Sequence, residues 1–217
     1  MKNVIFIMNL LAIYSIFISF SAFAETRIVG DFAKGTLDSW QEKIFDEQTI
    51  YEMSQDMNAT VLKATSQNSA SGLYREISVD LQQMPYLNWT WKVENTLKNQ
   101  QEQTKEGDDY PARIYVIFSG GFLFWQTRAL NYVWSSHQPV ETIWPNAYTE
   151  NAQMIAIESG HRHTGVWRQQ KRNVLEDYRR AFGVTPGKTD AVAIMTDTDN
   201  TGLKATSYYG KIYFSSE

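Results

Sequence analysis

The chain has 217 residues, of which 43% are apolar and none is cysteine, and its 24 acidic against 20 basic residues give a net charge of −4. Without cysteine there can be no disulfide, thiolate nucleophile, Cys-ligated zinc or lipoprotein anchor. The mild acidity argues against nucleic-acid binding, which calls for a basic patch.

Lys2, the apolar run from Val4 to Phe20 and the small-x-small site Ala22-Phe-Ala24 predict a secretory signal over residues 1–24, cleaved after Ala24. The alternative is an uncleaved anchor, since the apolar run is long for a signal. No other stretch approaches the ~18 apolar residues of a membrane span. Removing 24 of 217 residues leaves 193 with a net charge of −5, enough for a single domain over 25–217 with its own core. The protein is therefore expected in the periplasm or outside the cell.

Residues 60–65 are β-branched and read as a strand. In 87–93 apolar and polar residues alternate strictly, with Leu87, Trp89, Trp91 and Val93 on one face, the mark of a half-buried strand. The Gln-rich stretch 95–106 has no periodicity and reads as a long loop. Residues 112–118 are apolar on both faces except Arg113, which suits a central strand. The stretch 122–145, with Trp125, Trp134 and Trp144, resists a strand reading. Residues 154–157, 191–195 and 208–214 are further strands, with weaker signals around Ile28, Ile50, Tyr74, Tyr132 and Trp167.

One helix is predicted over about 173–182. Asn173 is the cap, Glu176 lies three residues on, Val174, Leu175, Tyr178 and Phe182 share a face, and Gly183 stands where a terminating glycine belongs. About eight to eleven short strands and one helix predict an all-β, jelly-roll-like sandwich whose helix plugs an end or covers an edge.

Two polar stretches stand out. In Lys105-Glu-Gly-Asp-Asp-Tyr-Pro-Ala-Arg113, a charge on an apolar strand needs a partner, and Asp109 is the expected one. Its role is either a buried pair pinning the loop or a contact to a ligand. In Asp197-x-Asp199-x-Thr201-Gly202, oxygen donors alternate ahead of a glycine as in a helix-loop-helix calcium loop, but position twelve is Tyr208 and both flanks read as strand. The stretch is either a plain hairpin turn or a sandwich-type calcium site using Asp197, Asp199 and Thr201. No motif requires another cofactor. His161 and His163 read as an exposed loop. Gly-x-Ser-x-Gly, His-Glu-x-x-His, phosphate-loop and dinucleotide motifs are all missing, so catalysis is the less expected reading.

Lys105 to Arg113, Leu130-Asn-Tyr-Val-Trp134, Arg172-Asn-Val-x-x-Asp177-Tyr-Arg179 and Thr196 to Gly202 together resemble a family of secreted bacterial proteins catalogued only as a domain of unknown function. More loosely, Asp31-Phe-x-x-Gly35-x-Leu37-x-x-Trp40 with the closing strand to Phe214 is similar to galactose-binding-like jelly rolls. That likeness implies a sandwich of the kind found in carbohydrate-binding modules, some of which hold a structural calcium.

The reading that follows is a non-catalytic domain binding a glycan or another polar component of the cell envelope. Asp108, Asp109, Arg113 and Asn200 would bind the ligand, with Tyr132 and Trp134 as a stacking wall. Alanine at Arg113 or Asp197 is then expected to abolish binding and spare the fold. The alternatives are an envelope hydrolase working through paired carboxylates and a subunit of an envelope complex.

Overall fold

The computed structural model describes residues 25–56, 58–120 and 126–217. The predicted signal segment and Trp125 lie outside the described residues.

Among the described residues, thirteen strands and one α-helix follow in chain order. They are β1 (Thr26–Gly30), β2 (Gln41–Asp46), β3 (Ile50–Asp56), β4 (Ala59–Gln67), β5 (Ala70–Glu76), β6 (Tyr86–Val93), β7 (Arg113–Phe118), β8 (Arg128–Ser135), β9 (Ile143–Asn146), β10 (Thr149–Ser159), β11 (Arg168–Asn173), α1 (Val174–Phe182), β12 (Ala191–Asp197) and β13 (Lys204–Ser215). They form a two-sheet sandwich. One sheet runs β11-β6-β13-β4-β3, with β1 also on β13; the other runs β2-β5-β12-β7-β8-β10-β9. All pairs are antiparallel except β8 with β10, so the chain departs there from an all-antiparallel jelly roll.

The alternation read in β6 holds: Leu87, Trp89, Trp91 and Val93 point inward and are at most 1% exposed. They meet Ile114, Val116, Tyr132, Trp134, Val192 and Ile194 from the facing sheet. Trp89 stacks on Tyr132 at 5.4 Å, and Trp91 lies 6.0 Å from Trp134. The stretch 122–145 does contain strands. In β8, Leu130, Tyr132 and Trp134 face the core while Asn131 and Val133 are buried on the other face, so no polar face is left to betray the period. β9 carries Pro145 and is accordingly an edge strand.

The helix begins and ends as read. The Asn173 side chain accepts the Glu176 N–H at 3.2 Å, and Gly183 closes it at φ +71°. It touches β6 and β11 on one sheet and β8 on the other, closing the gap between them. Val174 and Tyr178 enter the core there.

The stretch 198–203 is not a hairpin turn, because β12 and β13 belong to opposite sheets. It is an arch between the layers, with Gly202 at φ +67°, a conformation open to glycine without a Cβ penalty. Two further arches, after β2 and after β4, cross at the same end, each with one left-handed residue, Glu47 and Asn68. Buried hydroxyls stitch the three together: Thr49 donates to the Thr196 carbonyl at 3.0 Å, Thr49 and Ser69 are 3.2 Å apart, and Ser66 meets Thr198 at 2.6 Å. This seam fixes where the acids at the end of β12 stand.

The long polar loop is anchored. The buried Glu102 carboxylate accepts the Ser135 hydroxyl at 2.6 Å, the His137 N–H at 3.1 Å and the Ser136 N–H. Beyond it, Tyr110 lies over the outer face of the seven-stranded sheet, on Val133, Trp144, Met154 and Ala156. The loop therefore covers one half of that face and leaves the other half open.

Candidate functional site

The open half is a cleft of about 720 Å³. Because Leu73, Ile114, Val116 and Val192 face the core, period two turns Tyr74, Arg113, Tyr115 and Ala193 outward. Strand register then builds the cleft in rows. Gln41, Tyr74, Ala193, Tyr115 and Asn131 are successive neighbours across five strands. Two tyrosines thus stand about 10 Å apart, two strand spacings, with an alanine between them. In the next row come Lys43, Gly72, Met195 and Arg113. A Cβ on Gly72 would stand 3.2 Å from the Ile194 carbonyl oxygen, so the floor there is bare backbone. Phe45, 66% exposed, flanks the cleft at the β2 edge, and Tyr148, 56% exposed, flanks it at the β9–β10 turn.

One end of the cleft is acidic. Arg113 opens β7 and Asp197 ends the neighbouring β12, so both side chains reach the same face. Both are 2% exposed. The guanidinium grips Asp197 twice, Nε to Oδ1 at 2.8 Å and Nη2 to Oδ2, and donates through Nη2 to the Asp108 carbonyl and through Nη1 to the Tyr115 hydroxyl at 3.0 Å. Its plane lies 4.4 Å from the Tyr110 ring centre. The partner expected for Arg113 was Asp109; the structure gives it Asp197, with Asp108 at 3.7 Å. Asp109 instead accepts the N–H groups of Asn200 and Thr201 at 3.2 and 2.6 Å, tying the loop to the arch. Thr201 thus offers the acids an N–H where a metal would need an oxygen.

Oxygens of Asp109, Asp197 and Asp199 lie within 4.8 Å of one another. These are the atoms that could hold a cation, though Arg113 and the two N–H groups already engage Asp197 and Asp109. Burial pushes the Asp197 carboxyl up, Arg113 pulls it back, and Asp109, Asp108 and Asp199 push it up again. Burial pulls Arg113 down, but Asp197, Tyr115 and Asp108 outweigh it and hold the guanidinium charged. Burial, and after it Asp109, raises Asp199.

A carboxyl raised on folding stabilises most below its unfolded pKa, and that contribution is lost as pH rises through the folded value. Asp199→Asn should therefore raise the melting temperature at neutral pH. Solvent screens this half-open group, so the expected gain is about 1–2 °C, shrinking towards pH 4 in melts run across pH. A lower melting temperature at pH 7 would show instead that the Asp199 charge stabilises the fold.

Of the residues read from sequence, Asp108, Arg113, Asp197, Asp199 and Asn200 come together at this end, with Asp109 directly behind. Tyr132 and Trp134 do not. Both are 0% exposed, the Tyr132 hydroxyl bound to Asp177 at 3.0 Å and the Trp134 N–H to the Gly160 carbonyl at 3.0 Å, so neither can be a stacking wall. The aromatic walls are Phe45, Tyr74, Tyr115 and Tyr148, which sequence reasoning passed over. The available signal was the spacing of two between Arg113 and Tyr115, which puts them on one face.

No curated protein matches the chain. Solved structures of similar shape include the family 11 carbohydrate-binding module of the cellulosomal cellulase Lic26A-Cel5E of Clostridium thermocellum, at 10% identity and TM-score 0.48, covering 89% of this chain and 95% of that one. A cellulase derived from Cel12A of Rhodothermus marinus shares 11% identity at TM-score 0.49, covering 87% and 95%. The carbohydrate-binding module CBM29_1 of Piromyces equi shares 13% at TM-score 0.42, covering 90% and 93%. Residues 38–213 match the family described as "Protein of unknown function (DUF3047)", and over that span the chain belongs to it.

Proposed function

We propose that the protein binds a linear glycan, without cleaving it, in the open half of the seven-stranded sheet. The carrying observation is the row Tyr74–Ala193–Tyr115: two aromatic side chains rise with an alanine between them and the bare backbone of Gly72 in the next row, a slot for flat, weakly polar rings. Phe45 and Tyr148 extend the aromatic surface to either side. Amphipathic rings next to a few fixed polar groups are the usual furniture of small-molecule sites. Across five strand spacings, β2 to β10, the face measures about 24 Å, room for roughly four sugar units.

Binding is favoured over hydrolysis by where the acids lie. Glycoside cleavage uses two carboxyls flanking one bond, whereas Asp108, Asp197 and Asp199 gather together, Asp46 stands two strands away in the row of Asp197, and both oxygens of Asp197 are held by Arg113. The signal-like segment 1–24 supports a place outside the cytoplasm, where polysaccharides are met.

Affinity electrophoresis against a panel of soluble polysaccharides tests this. Retardation by at least one is expected, and Tyr74→Ala and Tyr148→Ala should each weaken it about tenfold or more, as for aromatic hot spots. A folded protein that no polysaccharide retards, or alanine variants that bind as well as the parent, would overturn the reading.

A further inference from the structure

The charges lining the cleft are Asp46, Asp108, Asp197 and Asp199 against Lys43 and Arg113, four carboxylates to two cations. Arg113 is fully engaged by Asp197 and Asp108, and Lys43 stands on β2, away from the acid end. A further acid, Asp109, lies within 4.8 Å of Asp197 and Asp199 and adds its charge from behind. The acid end therefore carries more carboxylates than cations, with Arg113 already engaged and Lys105 standing over the Tyr148 ring at 5.3 Å.

It also has acceptors without donors. Asp108 is 6% exposed; its Oδ2 takes the Asn146 amide at 2.8 Å, but its Oδ1 has no partner. Asn146 and Asn131 both donate to the Met154 sulfur, at 3.8 and 3.2 Å; the Asn131 Oδ1 is also buried and unpartnered, but it lies outside the cleft lining. Orphaned buried acceptors are uncommon in folded proteins, and each is costly unless a donor arrives. Beside them, half-open Asp199 and Asn200 face the cleft. What is missing is a cationic, donor-rich group.

Resting on the glycan reading above, we infer that this end selects a sugar bearing a free, protonated amine: an unsubstituted amino-sugar chain, in preference to its N-acylated form or to a uronate-bearing chain. An ammonium brings three donors and one positive charge to Asp199 and Asp108. An N-acyl group brings one donor and no charge, and a carboxylate would meet like charge.

Titration calorimetry with hexamers of β-1,4-linked glucosamine, N-acetylglucosamine, glucose and galacturonate tests the inference. The glucosamine hexamer should bind about tenfold or more tightly than the acetylated one, the worth of one charge-assisted hydrogen bond. The galacturonate should bind weakest, and added salt should narrow the gap. Asp199→Asn, shown folded by its melt, should bring the amine form down to the affinity of the acetylated form. Glucose or N-acetylglucosamine hexamers binding as well as glucosamine would overturn the preference while sustaining the glycan reading. Calcium alone raising the melting temperature and displacing the glucosamine hexamer would make the acid end a metal site and overturn it too. Binding of none of the four hexamers, nor of any polysaccharide on the panel, would sink both ideas together.

Discussion

Replacing Arg113 by alanine is expected to destabilise the fold by about 3–5 kcal/mol, a fall in melting temperature on the order of 10 °C. The guanidinium lies among Asp108, Asp109, Asp197 and Asp199, and every nitrogen it has is engaged. Its loss leaves the buried Asp197 charge without a cation and frees the Asp108 carbonyl, so the loop over the sheet loses one tie and keeps those that Asp109 makes to the arch. Removing both charges is different, because an apolar pair of similar volume is often close to neutral. Arg113→Met with Asp197→Leu should therefore recover more than half of the loss. Urea melts of the single and double variants decide it. A single-variant loss below about 1 kcal/mol would mean that water screens the pair as on a surface. The sequence had suggested that alanine here would remove binding and spare the fold; with both residues 2% exposed, both should suffer.

The sandwich was legible where one sheet face is core and the other is not: β6 alternates in the sequence and in space. It was illegible where both faces are covered, as in β8, whose outer face lies beneath the polar loop, and in β2, whose residues are all exposed and carry no pattern. The helix was readable from its two ends because capping is local chemistry. The cleft was half legible. A charge on an apolar strand announces itself, so Arg113 and the acids stood out. Its partner did not, since 84 residues separate Arg113 from Asp197 and only strand register brings them together. The walls were hidden for the opposite reason: Tyr74 and Tyr115 look like any strand tyrosine, and Trp134 could pass for a stacking wall because its stretch hid its period.

Asp177→Ala is expected to destabilise the protein by about 3 kcal/mol or more and to leave glycan binding by the folded fraction unchanged. Asp177 lies in the Arg172-Asn-Val-x-x-Asp177-Tyr-Arg179 stretch, and it is 3% exposed. Its carboxylate accepts the Tyr132 hydroxyl of β8 at 3.0 Å, Arg172 of β11 through Nε at 2.9 Å and Nη2 at 2.7 Å, and Arg180 of its own helix at 3.4 Å. One side chain thus joins the helix to both sheets. Alanine strands a buried phenol and halves the anchorage of Arg172, which keeps only Glu141; such losses fall in the upper range for single substitutions. The cleft lies on the outer face of the seven-stranded sheet, whereas Tyr132 and the helix close the interior, so no cleft residue loses a partner. Urea melts measure the first part and calorimetry with the best panel glycan the second. A loss under about 1 kcal/mol would show the network to be dispensable, and weaker binding at full folding would show that the helix reaches the cleft. Most of the sequence stretches that stand out build the frame, and Arg113 belongs to frame and cleft together. Recognition on this reading falls to tyrosines, a phenylalanine and half-open acids, residues whose variation would retune the ligand without disturbing the sandwich.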